Sequence, residues 1–331
     1  MAGVIVLYSL GDFCHNFPLP AITMKLKNFA PFTWGVLGWN LLVILWGAYV
    51  RASGSGAGCG QHWPLCNGEV LPQTPDVAMK IEFTHRLLSG GALLLIATMV
   101  IWGFRITDKG HPVRKGLTAA GILIVTEALL GAGLVLFKLV EENSSVARAF
   151  AVALHLANTF LLIGSLALSA YWASGGRAIQ LKGQGSKIWL LGAGLLGMLV
   201  IGMSGAVTAL GDTLFPVGSL AEGIVADMDP NAHFLVRLRV YHPIIAVMVA
   251  VYSLYLVRML FNQNKGMARK FLVVLVVAGI LQLVIGLTNL LLLVPTPTQL
   301  VHLFTADLVW ITYILTTAIL LAKPETIETL S

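Results

Sequence analysis

The chain has 331 residues, 57% of them hydrophobic and 11% charged, with a mean hydropathy of +0.85. That composition excludes an ordinary soluble domain and reads as an integral membrane protein. The net charge of +6 is not a nucleic-acid signal, because the basic residues sort into alternate loops; the expected surroundings are a lipid bilayer.

Residues 1–30 read as an N-terminal tail. Within it, residues 1–23 hold a short apolar run with no basic start and no small-residue cleavage site, so they do not resemble a secretory signal. Met24-Lys-Leu-Lys is a more natural cytoplasmic start, which makes the preceding segment an over-extended start or a disordered tail. Cys14 and His15 lie in it and carry no functional reading.

Eight apolar segments follow, near residues 31–50, 81–103, 117–139, 149–172, 188–210, 236–257, 271–294 and 301–322. Each is long enough to cross a bilayer, which needs about 20 residues. Lys25 and Lys27, then Arg105 to Lys115, Arg177 to Lys187, Arg258 to Lys270 and Lys323 mark one side; Glu141, Glu142, Asp212, Glu222, Asp227 and Asp229 mark the other. By the positive-inside rule both termini are cytoplasmic, and the even-numbered spans begin at the outer face.

Span one runs into GAYVRASGSGAGCG (47–60), whose glycines make a flexible outer loop, and then into QHWPLC (61–66). Cys59 and Cys66 face the oxidising side, so a disulfide is expected, as a structural staple or as a redox-active pair. Zinc would find only three ligands with His62, and no Cys-x-x-Cys-His is present for covalent heme.

Span two opens on IEFTHRLLSG (81–90), with Glu82 and His85 one helical turn apart on one face. An acid costs roughly 2.5–3.5 kcal/mol near the centre of a membrane helix, so its presence points to function first. Span three carries Glu127, and span four carries His155. After a basic linker at 175–187 the pattern repeats. The GAVTALGD run from Gly205 parallels the end of span one, and LQLVIGLT from Leu281 parallels TEALLGAG from Thr126. His242 takes the place of His85, and His302 that of His155. Such repeats generate pseudo-two-fold pairs of bundles, here with the axis along the membrane normal.

The expected fold is therefore an all-α integral membrane protein, with eight transmembrane helices as two pseudo-two-fold-related four-helix bundles. The first bundle is 31–174, the linker 175–187, the second bundle 188–323 and the C-terminal tail 324–331. Four histidines at one depth, two per repeat, suit heme ligation by facing helices, pairing His85 with His155 and His242 with His302. The alternative is a proton relay or another metal ion. Only the first half has an acid one turn from its histidine and cysteines in the loop above. Glu82 suits proton transfer or stabilisation of charge on a bound ring; the bland alternative is a hydrogen-bonded core acid. Arg86, Arg237 and Arg239 either pair with heme propionates or snorkel to water. Pro243 directly follows His242, which places that histidine at a helix start or kink.

The residues Gly-x-x-x-Arg-x-Ser-Gly-Ser-Gly-x-Gly-Cys, Trp-Pro-x-Cys and Glu-x-x-His-Arg resemble the heme A synthase family, with likeness from about Trp34 to Ala322. The resemblance implies oxidation of a ring methyl of heme O to a formyl group, through successive hydroxylations, to supply heme A to terminal oxidases. It makes Glu82 catalytic, His85 and His155 the iron ligands of the substrate heme, and His242 and His302 those of a permanent heme b. Cys59 and Cys66 match the family's first-loop cysteine pair. It also implies a prokaryotic cell membrane, a heme O synthase and an electron-transfer partner; lipid-facing glycines leave room for a homo-oligomer. Two features depart from the family pattern: the second outer loop has no cysteine pair, and Pro243 stands where an arginine is common. The rival readings are a di-heme cytochrome that only passes electrons and a transporter with histidine relays.

Overall fold

A computed structural model describes residues 26–323. The expectations for residues 1–23, with Cys14 and His15, for a start at Met24 and for the 324–331 tail lie outside those residues. Eight helices are long and apolar enough to cross a membrane, and among the described residues there is no β-strand, only two isolated bridges. The protein is thus a multi-pass α-helical membrane protein. The helices are α1 Phe29–Ala52, α2 Val77–Ile106, α3 Pro112–Leu136, α4 Val146–Ala173 and α5 Lys187–Leu214. A short α6, Leu220–Met228, and a five-residue α7, Phe234–Leu238, precede α8 Tyr241–Phe261, α9 Gly266–Leu291 and α10 Thr296–Leu320.

Helix ends follow capping chemistry rather than hydropathy. The Asp76 side chain accepts from Met79 N, so α2 starts four residues before the apolar run suggests. Ser145 caps α4 in the same way. At the other ends, Lys138 takes φ +56°, and Leu293 and Val294 take φ +62° and +56°, so α3 and α9 stop before the expected 139 and 294. The break expected at Pro243 is present: α7 ends at Leu238, α8 begins at Tyr241, and His242 sits in its first turn. Proline fits there because first-turn N–H groups have no partner inside the helix.

The contacts make two rings. Helices α1, α2, α3 and α4 close one, with α4 returning to α1; α5, α8, α9 and α10 close the other. The rings meet through α1 and α4 on one side and α5 and α10 on the other, and α4 and α10 are the most buried spans. Lipid is as apolar as leucine, so helices in a bilayer gain by close packing rather than by leaving the solvent. Small residues provide the closeness. A Cβ on Gly202 would lie 2.8 Å from the Phe160 ring, and one on Gly164 3.2 Å from Trp310 Nε1. Across the same seam Phe160 and Trp310 stack at 5.4 Å, and Trp310 Nε1 donates to Phe160 O at 2.6 Å.

Arg51 of α1 ties the two rings near the end that carries the histidines. It donates to Ala209 O at 2.7 Å and Thr213 Oγ1 at 2.5 Å on α5, and to Gln299 Oε1 at 2.8 Å on α10. In the repeat that pairs Gly47 with Gly205, Ala209 is the counterpart of Arg51 itself. At the opposite end the α4–α5 linker is stitched to the end of α10 by Gln180 N to Leu321 O and Lys323 N to Ala178 O.

Candidate functional site

All four histidines lie near one end of the two rings, and each ring packs against a glycine of a neighbouring helix. A Cβ on Gly47 (α1) would stand 2.9 Å from His85 Cε1, and one on Gly205 (α5) 3.0 Å from His242 Cε1. Gly286 (α9) stands 2.8 Å from His302 Cε1 by the same measure, and Gly131 (α3) 3.8 Å from His155 Cε1. The glycines match in the two halves as the histidines do. Both bundles therefore bring an imidazole on the second helix and one on the fourth against bare backbone.

In the first half α1 grips α2 on both sides of His85. Trp46 Nε1 donates to Ile81 O at 3.0 Å and Trp39 Nε1 to Leu88 O at 3.1 Å. His85 and His155 lie within electrostatic reach of each other. The Nδ1 atoms of both are buried and have no hydrogen-bond partner.

Glu82 is buried one turn before His85. Its Oε2 accepts from Cys59 N at 2.7 Å, and its Oε1 accepts from Arg86 at 2.5 and 3.2 Å. Arg86 also donates to His62 O and Leu65 O, at 2.5 Å each. Cys59 and Cys66 form a disulfide, and Gly58 presses that loop onto the α2 backbone, where a Cβ would meet Ala78 C at 2.5 Å. The loop thus grips both Glu82 and Arg86. A buried carboxylate tolerates such a place because it is paired and hydrogen-bonded.

The second half carries the opposite charge at the matching position, in the break between α7 and α8 rather than on a continuous helix. With His85 matched to His242, the position of Glu82 is that of Arg239. Arg239 is buried; its Nε donates to Asp227 Oδ1 at 3.0 Å, and its Nη1 to Asp212 Oδ1 at 3.3 Å and Phe215 O at 3.0 Å. Arg237 is exposed. His242 Nδ1 meets Ser204 Oγ at 3.0 Å, and Gln282 Nε2 meets His302 Nδ1 at 3.2 Å. The two rings stand 6.3 Å apart, centre to centre, with planes at 88°.

Sequence reasoning passed over the four glycines, the Glu82–Arg239 correspondence and the contacts of Glu127 and Gln282. The repeat held the signal: the matched segments place Gly131 on Gly286 and Glu127 on Gln282. Which of many membrane glycines faces a histidine is not written in one dimension.

Fold and site together define an eight-span membrane protein of two like four-helix bundles, each with a histidine pair at the same end. The chain belongs to the cytochrome oxidase assembly protein family, whose sequence model matches residues 30–314. It is 50% identical over 291 residues to a Thermus thermophilus protein named protoheme IX farnesyltransferase, covering 87% of this chain and 48% of that one. It is 28% identical over 260 residues to the heme A synthase of an Exiguobacterium species, covering 76% of this chain and 82% of that one. A heme A synthase of Alkalihalophilus pseudofirmus is 43% identical over 97 residues, 29% of this chain and 33% of the relative. The chain spans about half the length of the Thermus relatives it matches.

Proposed function

We propose that this protein is a heme A synthase, which oxidises a methyl substituent of heme O to a formyl group in its first bundle. The observation that carries the reading is the asymmetry of the two sites. Glu82, held by Cys59 N and Arg86, stands one turn before a histidine of the first half, and the matching sequence position of the second half is Arg239, bonded to Asp227. A protein that only passed electrons would have no need of an acid at one site alone. Membership of the family and the heme A synthase relatives support the same reading.

His85 and His155 hold the iron of the substrate heme. Their buried, unpartnered Nδ1 atoms support this, since buried polar groups otherwise find partners. His242 and His302 hold a heme b, which when bound supplies one-electron transfer. The ring centres of these two histidines stand 6.3 Å apart, so the two side chains converge on one site where they would hold such a group.

Conversion of a methyl to a formyl removes four electrons and four protons; each of the two hydroxylations takes its oxygen from water, and the resulting geminal diol loses one water. Glu82 accepts and returns protons beside the reacting methyl, while Arg86 and the Cys59–Cys66 loop keep its carboxylate in place. Arg86, Arg237 and Arg239 are the candidate partners of the heme propionates. The electrons leave through a separate partner, and a farnesylating enzyme supplies the substrate; the name of the Thermus relatives supports that neighbour. The distribution of Lys and Arg supports cytoplasmic termini and outward-facing sites in a cell membrane.

The test is co-expression with a heme O supply, followed by extraction and separation of the hemes. Wild type accumulates heme A. Glu82→Ala leaves heme O unconverted and keeps the b-type signal in the reduced-minus-oxidised spectrum. Equal heme A from Glu82→Ala, or purified protein without a Soret band, overturns the proposal.

A further inference from the structure

Glu127 lies in the middle of α3, and its carboxylate is built into a network with α4. Asn158 Nδ2 donates to its Oε2 at 2.6 Å and Thr159 Oγ1 to its Oε1 at 2.5 Å. Asn158 is itself fixed: its Oδ1 accepts from Thr126 Oγ1 at 2.7 Å, and its Nδ2 also reaches Leu123 O at 3.0 Å. Asn158 and Thr159 lie three and four residues after His155, so one face of α4 carries both the histidine and the groups that hold the acid. His155 Nε2 stands 3.7 Å from Glu127 Oε1, whereas its Nδ1 is buried without a partner. One nitrogen free and the other facing a carboxylate is the disposition of a metal-ligating histidine with its outer partner.

The second half repeats this frame with an amide in place of the acid. Gln282 occupies the position of Glu127, and Thr305 that of Asn158. Thr305 Oγ1 donates to Gln282 Oε1, and Gln282 Nε2 contacts His302 Nδ1 and Nε2 at 3.2 and 3.4 Å. A carboxylate only accepts hydrogen bonds, while the amide nitrogen only donates them. Glu127 therefore presents a negatively charged acceptor toward its histidine at 3.7 Å, and Gln282 a neutral amide against its own at 3.2 Å. An acceptor on the outer nitrogen fixes the tautomer and makes the imidazole a stronger donor to the metal.

We propose that Glu127 is a positioning residue for the reactive half. It orients His155 and strengthens its donation to iron, and the Glu127–Gln282 difference sets the two heme sites at different potentials, the first lower. This rests on the heme reading above, and adds to it a role for a residue outside the Glu82 loop.

The experiment compares wild type, Glu127→Gln and Gln282→Glu, each purified with its hemes, by redox titration and EPR of the ferric hemes. Kinetics of heme O conversion are measured alongside. In Glu127→Gln the midpoint of the first-half heme rises and its EPR g-values move, while the second-half heme is unchanged. The kcat falls roughly tenfold or more, the usual range for loss of an outer partner, and KM stays within about twofold. Gln282→Glu lowers the second-half midpoint. An unchanged first-half midpoint in Glu127→Gln, or an equal shift at both hemes, overturns the proposal. Should Glu127→Gln lose its first-half heme, Gln282→Glu decides alone: a lower second-half midpoint supports the proposal and an unchanged one overturns it. A wild type that binds two hemes but makes no heme A defeats the reaction proposed above, and leaves these potentials and spectra to judge Glu127 by themselves.

Discussion

Three residues before its first histidine, the first bundle carries Glu82 on α2 and the second carries Arg239 in the break between α7 and α8. Each is buried and paired with groups of opposite charge. Glu82 is held by the disulfide loop and Arg86, and Arg239 by Asp212, Asp227 and Phe215 O. The same repeat position thus offers an acid near one histidine pair and a fixed cation near the other. On the function proposed above, the shared frame of a histidine against a glycine is a holding device, and the opposite charge at the matching position separates a site for proton transfer from one that retains its ligand.

Several changes break or sharpen that contrast. The largest effect is expected from Glu82→Gln, which keeps the shape and removes the base. Turnover of heme O falls by about 10²-fold or more, the range for loss of a general acid–base group, while the second-half heme spectrum stays. Arg239→Leu is the mirror experiment. It leaves Asp212 and Asp227 without their buried cation, a loss of roughly 3–5 kcal/mol that unfolding in detergent will register, together with loss of the second-half heme. Third, Cys59→Ser with Cys66→Ser opens a small loop and costs roughly 2–3 kcal/mol on the chain-entropy estimate. Because Cys59 N and the Leu65 and His62 carbonyls grip Glu82 and Arg86, this variant lowers heme A output while second-half heme content holds.

The smallest effects separate the four glycines. Alanine at Gly47, Gly205 or Gly286 brings a methyl within 2.8–3.0 Å of a histidine ring, and such overpacking costs roughly 1–3 kcal/mol. Heme content of the matching half falls. Gly131→Ala makes an ordinary 3.8 Å contact and leaves the Soret intensity unchanged. If all four substitutions behave alike, the glycines are packing residues of the helices and not part of the holding device.

Much of this was legible along the chain. The eight spans stand out because a bilayer demands about 20 apolar residues in a row, and the interior of each was placed correctly. Their ends were not, since Asp76 and Ser145 capping and the left-handed residues Lys138, Leu293 and Val294 set them. The histidine quartet, the Glu82–His85 spacing and the break before His242 were also legible, each being a local pattern. Arg86 and Arg239 were visible only as charges near a boundary, and the structure shows each in a buried network with carboxylates.

What the amino-acid sequence by itself determined is the one-dimensional part: an eight-span α-helical chain, repeated once, with an imidazole in each even span and an acid beside the first. Hydropathy, helical period and internal likeness are properties of neighbours in the chain, so they can be read there. Only the tertiary structure decided that Gly47 faces His85, that Cys59 N binds Glu82, that Arg239 is buried against Asp212, and that Glu127 approaches His155 while Gln282 reaches His302. Those contacts join residues 20 or more positions apart or rest on matching one half to the other. In a span that is apolar on every side, no periodicity tells which face turns inward, and packing of one helix on the next has to settle it.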